Sequence, residues 1–535
     1  MQVRTKKVMA VRKFVNDQPP QAVPSSSFTF PAPIRGWVLN ENLAQAQPAG
    51  ARVLDNWLCT TTGVRVRGGS VKFCTLDAPV TALFAYNSGS SKFFAATAAG
   101  VFDCTTPASP TTPLTAAFTG QTSGDYSTVQ FGTAGGDFLY AVNGTDSPRL
   151  FNGTTWTAIT GASSPAITGV TTSTLSQVWS YANRLFFVER NTMTARYLPV
   201  DQIGGAASSF SLAGTFKKGG SLFFGATWSL DSGSGLDDKC VFVSTEGEVA
   251  VYSGTNPANA AEWALQGVYQ MPKPLGKNAF TQAGGDLLIA TEVGMIPVSA
   301  AIQNDLAALE SKAVSRAIAP YWQEKARSLA SGWQIVKVPR RGVMYVSQPD
   351  TSGQMQSCLA VNLLTGAWSR CTGWDTRCLG FFDNDCFFGA ADNSVYRMDV
   401  GGSDDGAAYT CRVLMQHDSM GVYGRKKSVR QMRAMFQAGS PINPQLLALP
   451  DFSEDASPPP ASPANYTTDA WDSGLWDAAL WDADAVLVNQ ANWTSTGVTG
   501  TTIAPELQLT FGVAPTPSVE LVAIDAEFHV GAMVA

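Results

Sequence analysis

Charge is scarce in this sequence: 15% of its 535 residues are Asp, Glu, Lys or Arg, against about 25% in ordinary soluble domains. Histidine is scarcer still, with His417 and His529 the only two, so a histidine-rich metal site is excluded. No run of about 18 apolar residues occurs, which removes a membrane-spanning helix from the expectations. The first residues, MQVRTKKVMAVRKFVNDQPP, are basic but lack the 7–15 residue apolar core of a secretory signal. None of the nine cysteines sits in a Cys-x-x-Cys pair, although Cys358, Cys371, Cys378, Cys386 and Cys411 are crowded together. Zinc needs paired cysteines or nearby histidines. Buried free thiols are therefore expected in preference to disulfides or metal ligands.

Lysine and arginine are missing altogether beyond Arg433. The last 102 residues carry twelve acidic side chains and a charge of −12, so residues 1–433 carry +6. Five of those cations, Arg425, Lys426, Lys427, Arg430 and Arg433, lie in RKKSVRQMR just before the switch. Such a sign change along a chain points to surfaces with different electrostatic tasks. The cluster reads as an assembly contact, pairing with the chain's own acidic segment or a neighbour's, or else as a solvated strand. The basic N-terminus (Arg4, Lys6, Lys7, Arg12, Lys13) reads as a mobile solvated arm, or as a dock for an acidic partner surface or for phosphate.

Catalytic signatures are also missing. There is no Walker A loop, no Gly-x-Gly-x-x-Gly after a strand, no His-Glu-x-x-His, no EF-hand loop and no Gly-x-Ser-x-Gly. Paired carboxylates able to run glycoside chemistry have two candidates, Asp383 with Asp385 and Asp237 with Asp238. Polar turns between strands explain both. The expectation is a chain that is not an enzyme and holds no cofactor or metal.

What the sequence does contain is turn residues, 49 Gly and 30 Pro, and one recurring phrase. From about residue 80 to 400, runs such as KFFAATAAGVFDCT and DCFFGAADNSVYRMDVG repeat a strand, a Gly/Asn/Asp turn and a second strand. The markers Phe94, Leu139, Phe186, Phe242, Leu288, Tyr345 and Phe387 recur every 42 to 57 residues. That period predicts an all-β chain built on a β-propeller of six or seven blades over residues 76–402, with a large irregular sandwich as the alternative. Both histidines lie outside that span. An insertion at about 299–330 places Ile302, Leu306, Leu309, Ala313 and Ala317 at helical spacing, with Pro320 ending or kinking the helix. It packs on the propeller or reaches a neighbouring subunit.

Residues 1–75, an arm and part of a platform, and residues 403–535 are expected to form a second β-rich unit. Within the latter, the linker EDASPPPASPAN leads to AWDSGLWDAALWDADA, where Trp471, Trp476 and Trp481 are five residues apart and each is followed by Asp. Five residues advance about 140° around a helix and reverse the face of a strand, so no regular element gathers the three indoles. An extended strap, re-anchored by each indole, is the expectation.

Four stretches, in order, resemble the tail nozzle (tail tubular) proteins of short-tailed bacteriophages. The first is Phe30–Ser70, with Leu54-Asp55-Asn56-Trp57 followed by Val66-Arg67-x-Gly69. The second is TEVGMIPVSAAI before the helical insert. The third is the Trp-Asp run with Trp493, and the fourth is the last strand, AIDAEFHVG. A terminal Gly-Gly departs to Gly531-Ala532. The resemblance implies a structural virion protein made in the host bacterial cytoplasm. It would form a six-copy ring at the distal end of the tail, with DNA ejected through its centre without sequence-specific binding. Implied partners are further copies of itself, tail adaptor or portal-proximal proteins, and tail fibres. Asp472, Asp477 and Asp482 are the expected lining of the bore, since cations there would trap phosphate. Two other readings are a receptor-binding or glycan-degrading tail component and a cytosolic propeller adaptor.

Overall fold

In a computed structural model of the chain each of the seven hydrophobic markers falls on the second strand of a blade, six of them in separate small antiparallel sheets and Tyr345 in a blade that continues into a larger sheet. The structure describes residues 25–533 apart from 45–46, 230–237, 330, 349–357, 439–441, 443, 461–486 and 513–515. Blades 1 to 7 span residues 82–119, 127–158, 175–211, 222–270, 280–297, 334–371 and 378–398. β-branched and aromatic runs of four to eight residues pair with a neighbour across tight turns, because both central turn residues adopt positive φ. Examples are Ala182 and Asn183 in blade 3 (46° and 54°) and Asp383 and Asn384 in blade 7 (46° and 64°).

The sheets close into a ring. Successive pairs of blades share a buried cluster, as when Phe224 and Val251 of blade 4 meet Leu287 and Ile289 of blade 5. Blade 7 returns to blade 1 through Phe387, Phe93 and Phe102. Phe93, fully buried, stacks on Phe382 at 5.2 Å and tilts against Phe387 at 4.8 Å. Burying one such ring is worth about 1.5–3 kcal/mol. The outer strand of blade 7 comes from far upstream: Ser70–Thr75 pairs antiparallel with Ser394–Met398. Seven sheets joined in a closed circle of interfaces make a seven-bladed β-propeller. The boundary expected at residue 76 is therefore corrected to residue 70, because these six residues complete a blade.

The helical insert also departs from expectation. It is broken into three short α-helices, Val298–Gln303, Leu309–Lys312 and Ala319–Ser328. Leu309 and Ala313 are buried, whereas Ile302 and Leu306 stay 36% and 41% exposed. Pro320 starts the third helix instead of ending one, because a first-turn position has no N–H bond to lose. The break lets Trp322 bury against Trp333 (4.9 Å) and Trp368 (5.9 Å), with its Nε1 donating to the Thr291 carbonyl at 2.8 Å.

Both ends of the chain build a β-sandwich on the propeller. In one sheet, Val519–Met533 lies between Arg425–Ala438 and the N-terminal strands Ser26–Pro31 and Val64–Val66. The other sheet continues blade 6: Trp368–Cys371 pairs in parallel with Ala51–Asp55, then follow Tyr409–Met415, Ile503–Phe511 and Gln445–Pro450. Between them lies a core that includes Trp57, Val413, Phe436, Leu507 and Phe528.

All nine cysteines are buried and free. Burial pushes the thiols of Cys59, Cys371, Cys378 and Cys386 up to about 12. The thiolate is the reactive form, so an aromatic disulfide reagent at pH 8 is expected to label none of the nine in minutes, and all nine in guanidinium. Rapid labelling of several thiols in the native protein would contradict this burial.

Candidate functional site

The basic cluster and the acidic C-terminus are brought face to face by strand pairing. Arg433 stands directly opposite Asp525 on the neighbouring strand, with Nε 3.0 Å from the carboxylate, and its guanidinium lies 4.7 Å from the Trp493 ring. Gln431 is likewise opposite Glu527 and donates to it. Arg425 donates to the Gly531 carbonyl at 3.0 Å. Lys427 is a correction: it is inaccessible to solvent, and its ammonium donates to the carbonyls of Thr501 and Arg425. Burial pulls its pKa down. Strand alternation turns Lys427 inward, so it cannot serve as an assembly contact. Arg425, Lys426 and Arg430 remain exposed.

Other acidic residues of the C-terminal segment are also engaged within the chain. Glu506, fully buried, pairs with Arg412 at 2.5 Å, and Glu454 pairs with Arg52 at 2.7 Å. Glu520 accepts from Thr60 and Thr62 at 2.8 and 2.9 Å. Asp451 accepts from the backbone amides of Thr501 and Thr502, which with the Thr501 hydroxyl hold its carboxyl below the usual range. Asp472, Asp477 and Asp482 lie outside the described residues. Together with Asp469 and Asp484 they occupy a stretch, 461–486, that contains no Lys or Arg.

The carboxylates considered for catalysis differ in their surroundings, and Oδ1 of Asp238 is buried without a hydrogen-bond partner among the described residues. Asp383 forms the blade 7 turn. Asp385 pairs with Arg341 at 3.1 Å and Arg397 at 3.5 Å. Asp237 lies outside the described residues. His417 is buried in the sandwich, its Nε2 is 3.1 Å from the Ser453 carbonyl, and burial lowers its pKa. Among the described residues no group of three or more His, Cys, Asp or Glu is placed to hold a metal ion, and no helix is long and apolar enough to cross a membrane.

The most elaborate polar cluster was not singled out as a site by its sequence. Arg67 is fully buried where the N-terminal strands, blade 7 and the sandwich meet. Its fork donates to Asp404 at 2.9 and 2.7 Å, and its Nε donates to Asn56 at 2.8 Å. The guanidinium lies between the rings of Trp374 (4.2 Å) and Tyr409 (4.1 Å). Burial opposes its charge, but the Asp404 hydrogen bonds and charge outweigh burial and raise its pKa. Beside it, Asp399 is gripped by Arg65 (2.7 Å), Arg341 (2.8 Å) and the Gly68 amide (2.5 Å). Gly69 has no room for a side chain, since a Cβ there would stand 1.9 Å from the Ser403 carbonyl oxygen. The Asn-Trp…Val-Arg-x-Gly pattern thus has a physical reason: it locks the sandwich to the propeller. Only the pairing with residues more than 300 positions away reveals it.

No family model matches the chain, and no curated protein does. Solved structures similar to it include Sqt1 of Saccharomyces cerevisiae, at 11% identity, covering 65% of this chain and 96% of that one with a TM-score of 0.36. YCF48 from Cyanidioschyzon merolae is similar at 12% identity, covering 62% and 98%, with a TM-score of 0.34. The BBS1N chain crystallised with ARL6DN is similar at 9% identity, covering 62% and 97%, with a TM-score of 0.37. Scores this low carry no argument, and the propeller rests on this chain's own closed circle of seven sheets.

Proposed function

We propose that this chain is the nozzle subunit of a short-tailed phage tail: six copies form a distal ring, and DNA passes through its centre into the host. The observation that carries the reading is the division of charge. The described sandwich neutralises much of its own charge through pairs such as Arg433–Asp525 and Arg412–Glu506. The acidic excess that remains is concentrated in 461–486, with five Asp and no cation. A wall of that composition repels phosphate weakly and offers it no binding point. A propeller's own axis is too narrow for a duplex, whereas side-by-side copies leave a wide hole. The ordered resemblance of four stretches to nozzle proteins supports the same reading. Under it the chain resides in the virion tail and meets adaptor proteins and tail fibres. The engagement of Asp385 with two arginines speaks against glycan cleavage at that pair. Native mass measurement of the full chain, alone and with the other tail components, should give a six-copy ring. Monomers under both conditions would overturn the proposal.

A further inference from the structure

A blade exposes one unpaired strand edge at the propeller rim, and bare edges invite pairing with other chains. Six of the seven rims are short or occupied. The outer strands of blades 1 to 3, Ala116–Thr119, Trp156–Ala158 and Ser208–Ser211, have three or four residues. Blade 5 ends in the four-residue Gly294–Pro297, which runs on into the helical insert. The blade 6 rim is joined by Ala51–Asp55. The blade 7 rim, Ser70–Thr75, carries Lys72 and bridges to Asp404 and Pro113. Blade 4 differs: its outer strand Trp263–Gln270 is eight residues long, WALQGVYQ, without charge or proline, and no described strand pairs with its outer edge. Leu265 and Val268 on it are 46% and 38% exposed. Beside them opens a hollow of about 460 Å³, lined also by Thr215, Lys217, Glu248 and Tyr269. The Glu248 carboxylate is already occupied by the amides of Lys217 (2.9 and 3.1 Å) and Lys218 (2.9 Å). A free edge beside a hollow able to receive side chains is the arrangement used for strand addition.

The occupant is indicated by charge. Residues 104–124, 150–183 and 202–216, which form or flank the outer strands of blades 1 to 3, contain no charged residue. The middle stretch alone is 34 residues, where the chain's own 15% charged fraction would place about five. The blade 4 strand Trp263–Gln270 carries no charge either, so the two strands can pair without either one burying an unpaired charge, which would be costly. Seven blades stand roughly 51° apart, so blade 4 and the blade 1–2 rim lie roughly 100–155° from one another. That interval includes the 120° at which identical head-to-tail copies close a ring of about six. We infer that a second copy of this chain docks its uncharged blade 1–2 rim on the outer edge of blade 4. This choice of occupant rests on the ring reading above.

The test is the double variant Leu265→Lys, Val268→Lys in the full chain, alone and in assembled particles. Both side chains are exposed, so its melting temperature should match wild type. In the wild-type ring the outward-pointing amides of residues 263–270, those not bonded to Glu248–Gly254, should exchange at least tenfold more slowly than in monomer, and the double variant should lose the ring. A double variant that still forms rings, with these amides exchanging fast in wild type, would overturn the docking edge and leave the ring reading standing. Wild type that is monomeric alone and in particles would overturn both. Slow exchange already present in the monomer, or a strand of another protein on this edge, would overturn the second copy as occupant.

Discussion

Alanine at Arg67 is expected to destabilise the native chain by about 3–5 kcal/mol, the range for removing one partner of a buried ion pair. The substitution strands the Asp404 carboxylate, which Arg67 grips with two hydrogen bonds. It also empties the space between Trp374 and Tyr409, adding a cavity cost. Lysine is a poor replacement, because a point charge reproduces neither the fork nor the stacking. Denaturant titration followed by tryptophan fluorescence measures the loss. The Asp404→Asn variant completes a double-mutant cycle, in which strong coupling is expected. A loss below 1 kcal/mol for Arg67→Ala would show that the cluster does not lock the sandwich to the propeller. Because the clamp joins both units and blade 6 shares a sheet with the sandwich, the wild-type chain should unfold in one transition.

The second large effect concerns the acidic stretch. Changing Asp472, Asp477 and Asp482 together to Lys replaces five negative charges and no cation in 461–486 with two negative and three positive. If these residues line the bore, every copy then offers three phosphate-binding points to passing DNA. Each such contact changes the salt exponent of binding by about 0.9. DNA ejection from particles carrying the triple variant should therefore slow several-fold at low salt. It should recover as the Debye length shrinks from about 30 Å at 0.01 M to about 8 Å at 0.15 M. The propeller is untouched and should melt as before. Unchanged ejection rates across that salt range would remove these residues from the lining.

Much of the propeller was legible because its signal is local. A strand, a tight turn and a second strand occupy about fifteen consecutive residues, so all seven markers fell on equivalent strands. The closing strand was misplaced because Ser70–Thr75 finds its partner more than 300 residues downstream, and nothing within those six residues announces it. The same reason hid Arg67, whose partners Trp374, Asp404 and Tyr409 are remote in sequence. Lys427 misled in a different way. A basic run reads as a surface, but strand alternation sends one member inward, where the carbonyls of Thr501 and Arg425 take the place of water. The helical stripe failed because periodicity does not register that the backbone leaves the helix at Asn304 and again at Ala313, where it turns extended.

The strand Ser70–Thr75 leaves the ribosome early, but its partner Ser394–Met398 is not made until more than 300 residues later. At synthesis rates of about 5–20 residues per second the interval is roughly 15–60 s. For that time the circle stays open and a strand lacks its mate, a state in which a wrong partner is the main hazard. Lys72 sits in the middle of this waiting strand, and a central lysine is a device that discourages edge-to-edge pairing. In the finished blade its ammonium stands 5.6 Å from the Tyr396 ring and 3.9 Å from Asp392. The same lysine, suited by its charge to discourage wrong pairing of the waiting strand, thus becomes part of the latch.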